Sequence, residues 1–182
     1  MESTQSGILM SSRLALIPAD IPILEAALAG NDVLQDYLKV NIPDVWSIFG
    51  PEALQYSLDK LRESISEAGW WSYLPIHIVD NTLVGFCGFK GSPNQEGMVE
   101  IGYEIAESYR QQGLATELAE TLILHAFSTP GIKMVQAHTL GAENASTKVL
   151  SKCGMKKMEE INDPEDGIIW RWEILKVPDT KH

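Results

Sequence analysis

The sequence predicts an α+β fold, a mixed and mostly antiparallel central sheet of six to seven strands flanked by about four helices. Three observations predict it. Runs of period two and runs of helical period follow one another in the order β-α-α-β-β-β-α-β-α-β-β. Residues 71–89 read as a hairpin about the turn signal Asp80-Asn81, and residues 98–106 alternate in polarity. The chain has 182 residues, 45% of them hydrophobic, enough for one domain with a full core. That domain is expected over residues 13–177, between tails at 1–12 and 178–182.

Residues 13–17 are the first strand, closed by Pro18. Asp20 caps a helix with Pro22 in its first turn, running to about Ala29. Gly30-Asn31-Asp32 breaks it. Residues 33–50 mix Tyr37, Pro43, Trp46 and Phe49 with polar residues, which suits a short helix and a loop. Pro51 opens a clearer helix on Leu54, Leu58, Leu61 and Ile65, ended by Gly69. Residues 71–79 and 82–89 form the hairpin. Gly85 and Gly88 inside its second strand signal a close backbone approach or a bulge. Along 98–106, Val99, Ile101, Tyr103 and Ile105 share one face, and Glu100, Gly102 and Glu104 the other. A helix with a broad apolar face that includes Leu114, Leu118 and Leu122 runs to Pro130-Gly131. A strand over 133–140, a short helix over 146–152 and two closing strands at 156–161 and 168–175 complete the order.

Composition excludes several classes. Lys plus Arg is 14 and Asp plus Glu is 25, so the formal charge is -11, which argues against a general nucleic-acid binder. Two cysteines, Cys87 and Cys153, exclude a disulfide framework and a four-cysteine zinc site. The N-terminus has no basic segment before a long apolar run, and no apolar stretch approaches ~20 residues. A cytoplasmic protein that touches neither membrane nor nucleic acid is expected.

The segment with the most chemical content is the strand, polar turn and helix over 98–127. A helix N-terminus leaves N–H groups without partners and carries partial positive charge, and a glycine there lets a ligand approach the backbone. Such a turn is a cradle for phosphate or pyrophosphate. Neither G-x-x-x-x-G-K-[ST] nor G-x-G-x-x-G is present, so this is no P-loop and no dinucleotide fingerprint.

The turn instead reads Arg110-x-x-Gly113-x-Ala115. This resembles the R/Q-x-x-G-x-G/A motif of the GNAT superfamily of N-acetyltransferases, and the order of elements on both sides is that of the family. Glu100-Ile101-Gly102-Tyr103, Ala115-Thr116-Glu117 and the run from Asn144 to Met155 are similar to the RimJ/RimL-type branch. The likeness covers roughly residues 13–175. It implies the GNAT fold, acetyl-CoA as acetyl donor, no metal, and a monomer or homodimer.

It also implies roles. Backbone N–H groups around Gln111, Gln112, Gly113, Leu114, Ala115 and Thr116 would hold the pyrophosphate, with Arg110 adding charge. Ile105 and Ala106, at the strand end, would bond the pantetheine arm through backbone. Ser146 falls on the family serine. Glu143 stands where the family has asparagine, so Asn144, one place late, either shifts into the role or the contact is lost. The family's frequent tyrosine acid is absent: Leu150 or Ser151 stands there, and the leaving thiolate takes its proton from elsewhere or from water.

An acceptor amine must lose a proton, so a base is sought. Glu100 sits where several relatives place a base or a water-holding carboxylate; the other reading is a solvated strand face, which is favoured for Glu104. His138 stands where some N-terminal acetyltransferases place a base, and a structural imidazole is the other reading. His77 and His125 read as structural. Trp46, Phe49, Trp70, Trp71 and Tyr37 either wall the acceptor site or belong to the core. The expected reaction is direct transfer of acetyl to a primary amine, most simply a peptide N-terminal α-amine. A small-molecule amine as acceptor, or an acyl-CoA-binding module without turnover, is the alternative.

Overall fold

The computed structural model describes residues 7–179. A nine-stranded sheet runs in the order β1-β2-β3-β5-β6-β7-β9-β8, with β4 on β3. The strands are β1 (Leu9–Met10), β2 (Leu14–Pro18), β3 (Ser72–His77), β4 (Thr82–Leu83), β5 (Gly85–Phe89), β6 (Met98–Ile105), β7 (Met134–Leu140), β8 (Lys156–Asp163) and β9 (Gly167–Leu175). The helices are α1 (Ile21–Ala29), α2 (Asn31–Leu38), α3 (Gly50–Glu63), α4 (Leu114–Ser128) and α5 (Ala145–Lys152). Every named strand pair is antiparallel except β6 with β7. The mixed sheet is as expected; the strand count is higher because Leu9–Met10 joins the edge and residues 82–89 split at Val84.

Local chemistry sets the boundaries. The Asp20 side chain accepts from the Ile23 N–H at 3.0 Å, with Pro22 in the first turn of α1. α1 and α2 are parted by Gly30 alone, so the break expected over three residues is one residue long. α3 ends at Glu63, before Gly69, and Ile65 stands almost wholly exposed; its match to the helical period was fortuitous. Gly85 must be glycine because a Cβ would run into the Glu104 carbonyl of the neighbouring strand.

Two cores lie on opposite faces of the sheet. On one, α4 and α5 cover Val99, Ile101, Ile105, Val135, Ala137 and Trp172. On the other, α1, α2 and α3 cover Leu74, Ile76 and Leu83, with Phe86 packed against them. Phe86 pairs with Glu104 and Gly88 with Gly102, so Glu100, Gly102 and Glu104 face the side of α1–α3. Gln136 and His138 on β7, and Glu173 and Arg171 on β9, continue that face. There it carries partly exposed charged side chains.

Candidate active site

The central feature is a fork. β6 pairs with β7 only through Met98, Val99 and Glu100, opposite Met134, Val135 and Gln136. Beyond them β6 stays on β5 as far as Ile105, and β7 stays on β9 as far as Leu140. Each strand keeps its outer partner, so the sheet opens between residues 101–105 and 137–140.

Glu100 and His138 meet at the base of this opening. His138 Nδ1 lies 2.8 Å from Glu100 Oε1, and Lys90 Nζ lies 2.9 Å from the same oxygen. The side chains of Glu100 and His138 are 17% and 23% exposed, sheltered yet open to an incoming molecule. Burial pushes the Glu100 carboxyl up, but the Lys90 charge and the hydrogen bonds from Lys90 and His138 outweigh it and hold its pKa below the usual carboxylate value. Both residues picked out as candidate bases are thus in one contact. Lys90 was missed. It was legible in the register: two residues beyond the pairing of Gly88 with Gly102, Lys90 falls opposite Glu100, and its N–H donates to the Glu100 carbonyl at 2.9 Å.

The turn before α4 has the shape of an anion cradle. Gln111 and Gly113 have φ of 60° and 77°, and Gly113 is the residue before the helix. Among the described residues, no protein acceptor receives the N–H groups of Gln111, Gln112, Gly113, Leu114, Ala115 and Thr116. Arg110 turns back, and its Nε donates to the Ile105 carbonyl at 2.9 Å. The Ala106 N–H donates to Val84 and its carbonyl accepts from Tyr109. The Ala106 N–H and the carbonyls of Ile105 and Ala106 therefore already have protein partners, whereas the register turns the Ile105 N–H away from β5, toward the fork.

Across the fork, the Tyr103 hydroxyl lies 3.1 Å from Ser146 Oγ in the first turn of α5. Burial pushes that phenol up to about 12, so it stays protonated at neutral pH. Asn144 caps α5: its Oδ1 accepts from the Thr147 N–H at 3.0 Å, and Thr147 Oγ1 accepts from the Asn144 N–H at 3.0 Å. Its carboxamide oxygen is committed to the helix.

Glu104 is not the solvated carboxylate expected. Both its oxygens accept the Ile48 N–H at 3.1 Å, tethering the segment before α3 to the open face. The reason is packing: Trp46 and Phe49 sit on Phe86, directly opposite Glu104. The aromatic residues divide. Trp46 is buried and Trp70 packs on Phe89 and His125, whereas Phe49 and Tyr37 are exposed. His77 accepts the Asp80 N–H at 3.3 Å and packs on Tyr109. Both cysteines are free thiols, and no cluster of metal-ligating side chains occurs among the described residues.

Comparison with known proteins agrees with this geometry. Residues 18–156 match the family described as an acetyltransferase (GNAT) domain. An uncharacterized N-acetyltransferase of Bacillus subtilis (strain 168), YjdG, is 31% identical over 149 residues, 81% of this chain and 88% of that protein. Among solved structures, RimL, a ribosomal-protein alpha-N acetyltransferase in complex with coenzyme A, superposes with a TM-score of 0.67 at 16% identity, over 92% of this chain and 97% of that one. A chimeric spermidine N-acetyltransferase derived in part from Vibrio cholerae superposes with a TM-score of 0.64 at 14% identity, over 90% and 96%. The forked sheet, the cradle before α4 and these matches lead to one conclusion: the chain belongs to the GNAT family of acetyl-CoA-dependent N-acetyltransferases.

Proposed function

We propose that this enzyme acetylates a peptide N-terminal α-amine by direct attack on the thioester, with His138 as the base and Glu100 as the residue that orients it. The observation that carries the reading is the 2.8 Å contact between His138 Nδ1 and Glu100 Oε1 at the base of the fork. An ionised Glu100 only accepts, so Nδ1 carries the proton and Nε2 keeps its lone pair. Nε2 then takes the proton that the attacking amine loses, and Glu100 stabilises the imidazolium that forms. The six unpaired N–H groups of the cradle suit the pyrophosphate of acetyl-CoA, and the fork suits its pantetheine arm.

Two features favour an α-amine. Its pKa is near ~7.8, against ~10.4 for lysine, so a single imidazole suffices to take up its proton. The open face also carries Glu100, Glu104, Glu159, Asp163 and Glu173 against Lys90, Lys156 and Arg171, an acidic balance that attracts a cationic chain end. Ile48 and Phe49, both exposed, offer apolar contacts for the residues that follow. The likeness to RimJ/RimL-type enzymes supports the same acceptor.

Thiol release from acetyl-CoA with a panel of amines tests this. Short peptides with a free N-terminus are expected to turn over faster than the same peptides blocked at the N-terminus and bearing lysine, and faster than spermidine. Turnover confined to polyamines or lysine overturns the acceptor. Tight CoA binding with no turnover of any amine overturns catalysis.

A further inference from the structure

A guanidinium that the motif does not contain reaches the cradle from the other end of the chain. Arg13, just before β2, makes three contacts there. Its Nη1 donates to the Gln112 carbonyl at 2.7 Å, its Nε to Glu117 Oε2 at 2.7 Å, and its backbone N–H to Glu117 Oε1 at 2.6 Å. Ser11 Oγ adds a third bond to Glu117, at 2.7 Å. Arg13 Nη2 lies 3.4 Å from where a Cβ on Gly113 would stand.

Two consequences follow from elementary geometry and charge. The peptide between Gln112 and Gly113 is trans, so its carbonyl and its N–H point in opposite directions. Fixing the Gln112 carbonyl on Arg13 therefore turns the Gly113 N–H to the opposite side of the turn, toward the side left without a protein acceptor. Secondly, Glu117 lies in the first turn of α4, where its negative charge would oppose a bound phosphate. Burial pushes its carboxyl up, but the bonds from Ser11 and Arg13 and the Arg13 charge outweigh this, and its pKa is lowered. Arg13 neutralises that carboxylate and holds it toward β2. Glu117 is 16% exposed and Arg13 40%, so the pair is sheltered on the carboxylate side.

We propose that Arg13 is a positioning residue for the phosphate-bearing end of the donor: it aims the Gly113 N–H and screens Glu117 from the anion. The inference rests on the reading that the turn before α4 holds the pyrophosphate. It predicts a defect specific to phosphate. A guanidinium with two separate arms is needed, so lysine replaces only one of them.

The experiment compares Arg13→Ala, Arg13→Lys and the wild-type chain with two donors, acetyl-CoA and S-acetylpantetheine, which lacks the nucleotide and the pyrophosphate. A calorimetric titration with CoA runs in parallel and needs no acceptor. For Arg13→Ala the KM for acetyl-CoA and the Kd for CoA are expected to rise about tenfold or more, with a smaller change in kcat, the scale of one lost charged hydrogen bond. The KM for S-acetylpantetheine is expected to stay within about twofold, and Arg13→Lys to recover part of the loss. An equal loss with both donors shows a merely structural role and overturns the proposal, as does unchanged CoA affinity. Whether wild type releases thiol from acetyl-CoA tests the underlying reading separately.

Discussion

Glu100 and His138 touch where the pairing of β6 with β7 ends. Glu100 faces Gln136, and His138 lies two residues further along β7, yet its Nδ1 reaches Glu100 Oε1 at 2.8 Å. Because β6 and β7 run parallel at this point, side chains on the same face advance together, and a diagonal contact closes over the start of the fork. Lys90 comes from the opposite side, along Gly102, to the same oxygen. The carboxylate is thus held from two sides while the far edge of the imidazole stays available.

This arrangement makes stability depend on acid. The Glu100 pKa is lower in the folded protein than the ordinary 4.5. A depressed carboxylate contributes stability that is complete above the unfolded value and is lost as pH falls through the folded one. Chemical denaturation of Glu100→Gln should therefore show a deficit at pH 7 that shrinks below about pH 4. A deficit constant from pH 7 to pH 3 would mean that the charge of Glu100 is immaterial to the fold.

Much of this was legible beforehand, and the reasons differ by element. Alternation placed Val99, Ile101, Tyr103 and Ile105 on one face of β6, the Asp20 cap placed α1, and the apolar face of Leu114, Leu118 and Leu122 placed α4. The cradle was legible because Gly113 and the polar turn are local. What escaped depends on distant chain. Arg13 and Glu117 are 104 residues apart, and no local period links them. Glu104 read as a solvated carboxylate because its partner, the Ile48 N–H, belongs to a loop without periodicity. Ile65 misled because helical spacing persists past the residue where α3 stops.

Gly113 has φ of 77°, which costs a side chain roughly 1–2 kcal/mol. Gly113→Ala should weaken CoA binding by about tenfold and the branched Gly113→Val by more, both read by calorimetry. Unchanged affinity in both would remove the pyrophosphate from this turn.

The cysteines should be unreactive. Burial, then the charge of Glu120, pushes the Cys153 thiol up to about 11, and burial raises Cys87 further from reactivity. Alkylation by iodoacetamide at pH 7.5 should be much slower than for a free thiol, and both sites should react on unfolding. Rapid labelling of native Cys153 would contradict the raised thiol pKa, and an acetyl-cysteine trapped during turnover would contradict direct transfer.

The most direct measurement is kcat/KM against pH for the wild type, His138→Ala and Glu100→Gln, using the best peptide acceptor. Loss of a base typically lowers the rate by ~10²–10⁴-fold. His138→Ala is expected to fall in that range and to lose the acidic limb of the profile, with CoA affinity intact. Glu100→Gln, which still holds the ring but removes the carboxylate beside it, is expected to lose less and to keep the acidic limb. If both variants retain near wild-type rates across the pH range, the pair is structural, and the acceptor amine gives up its proton to water.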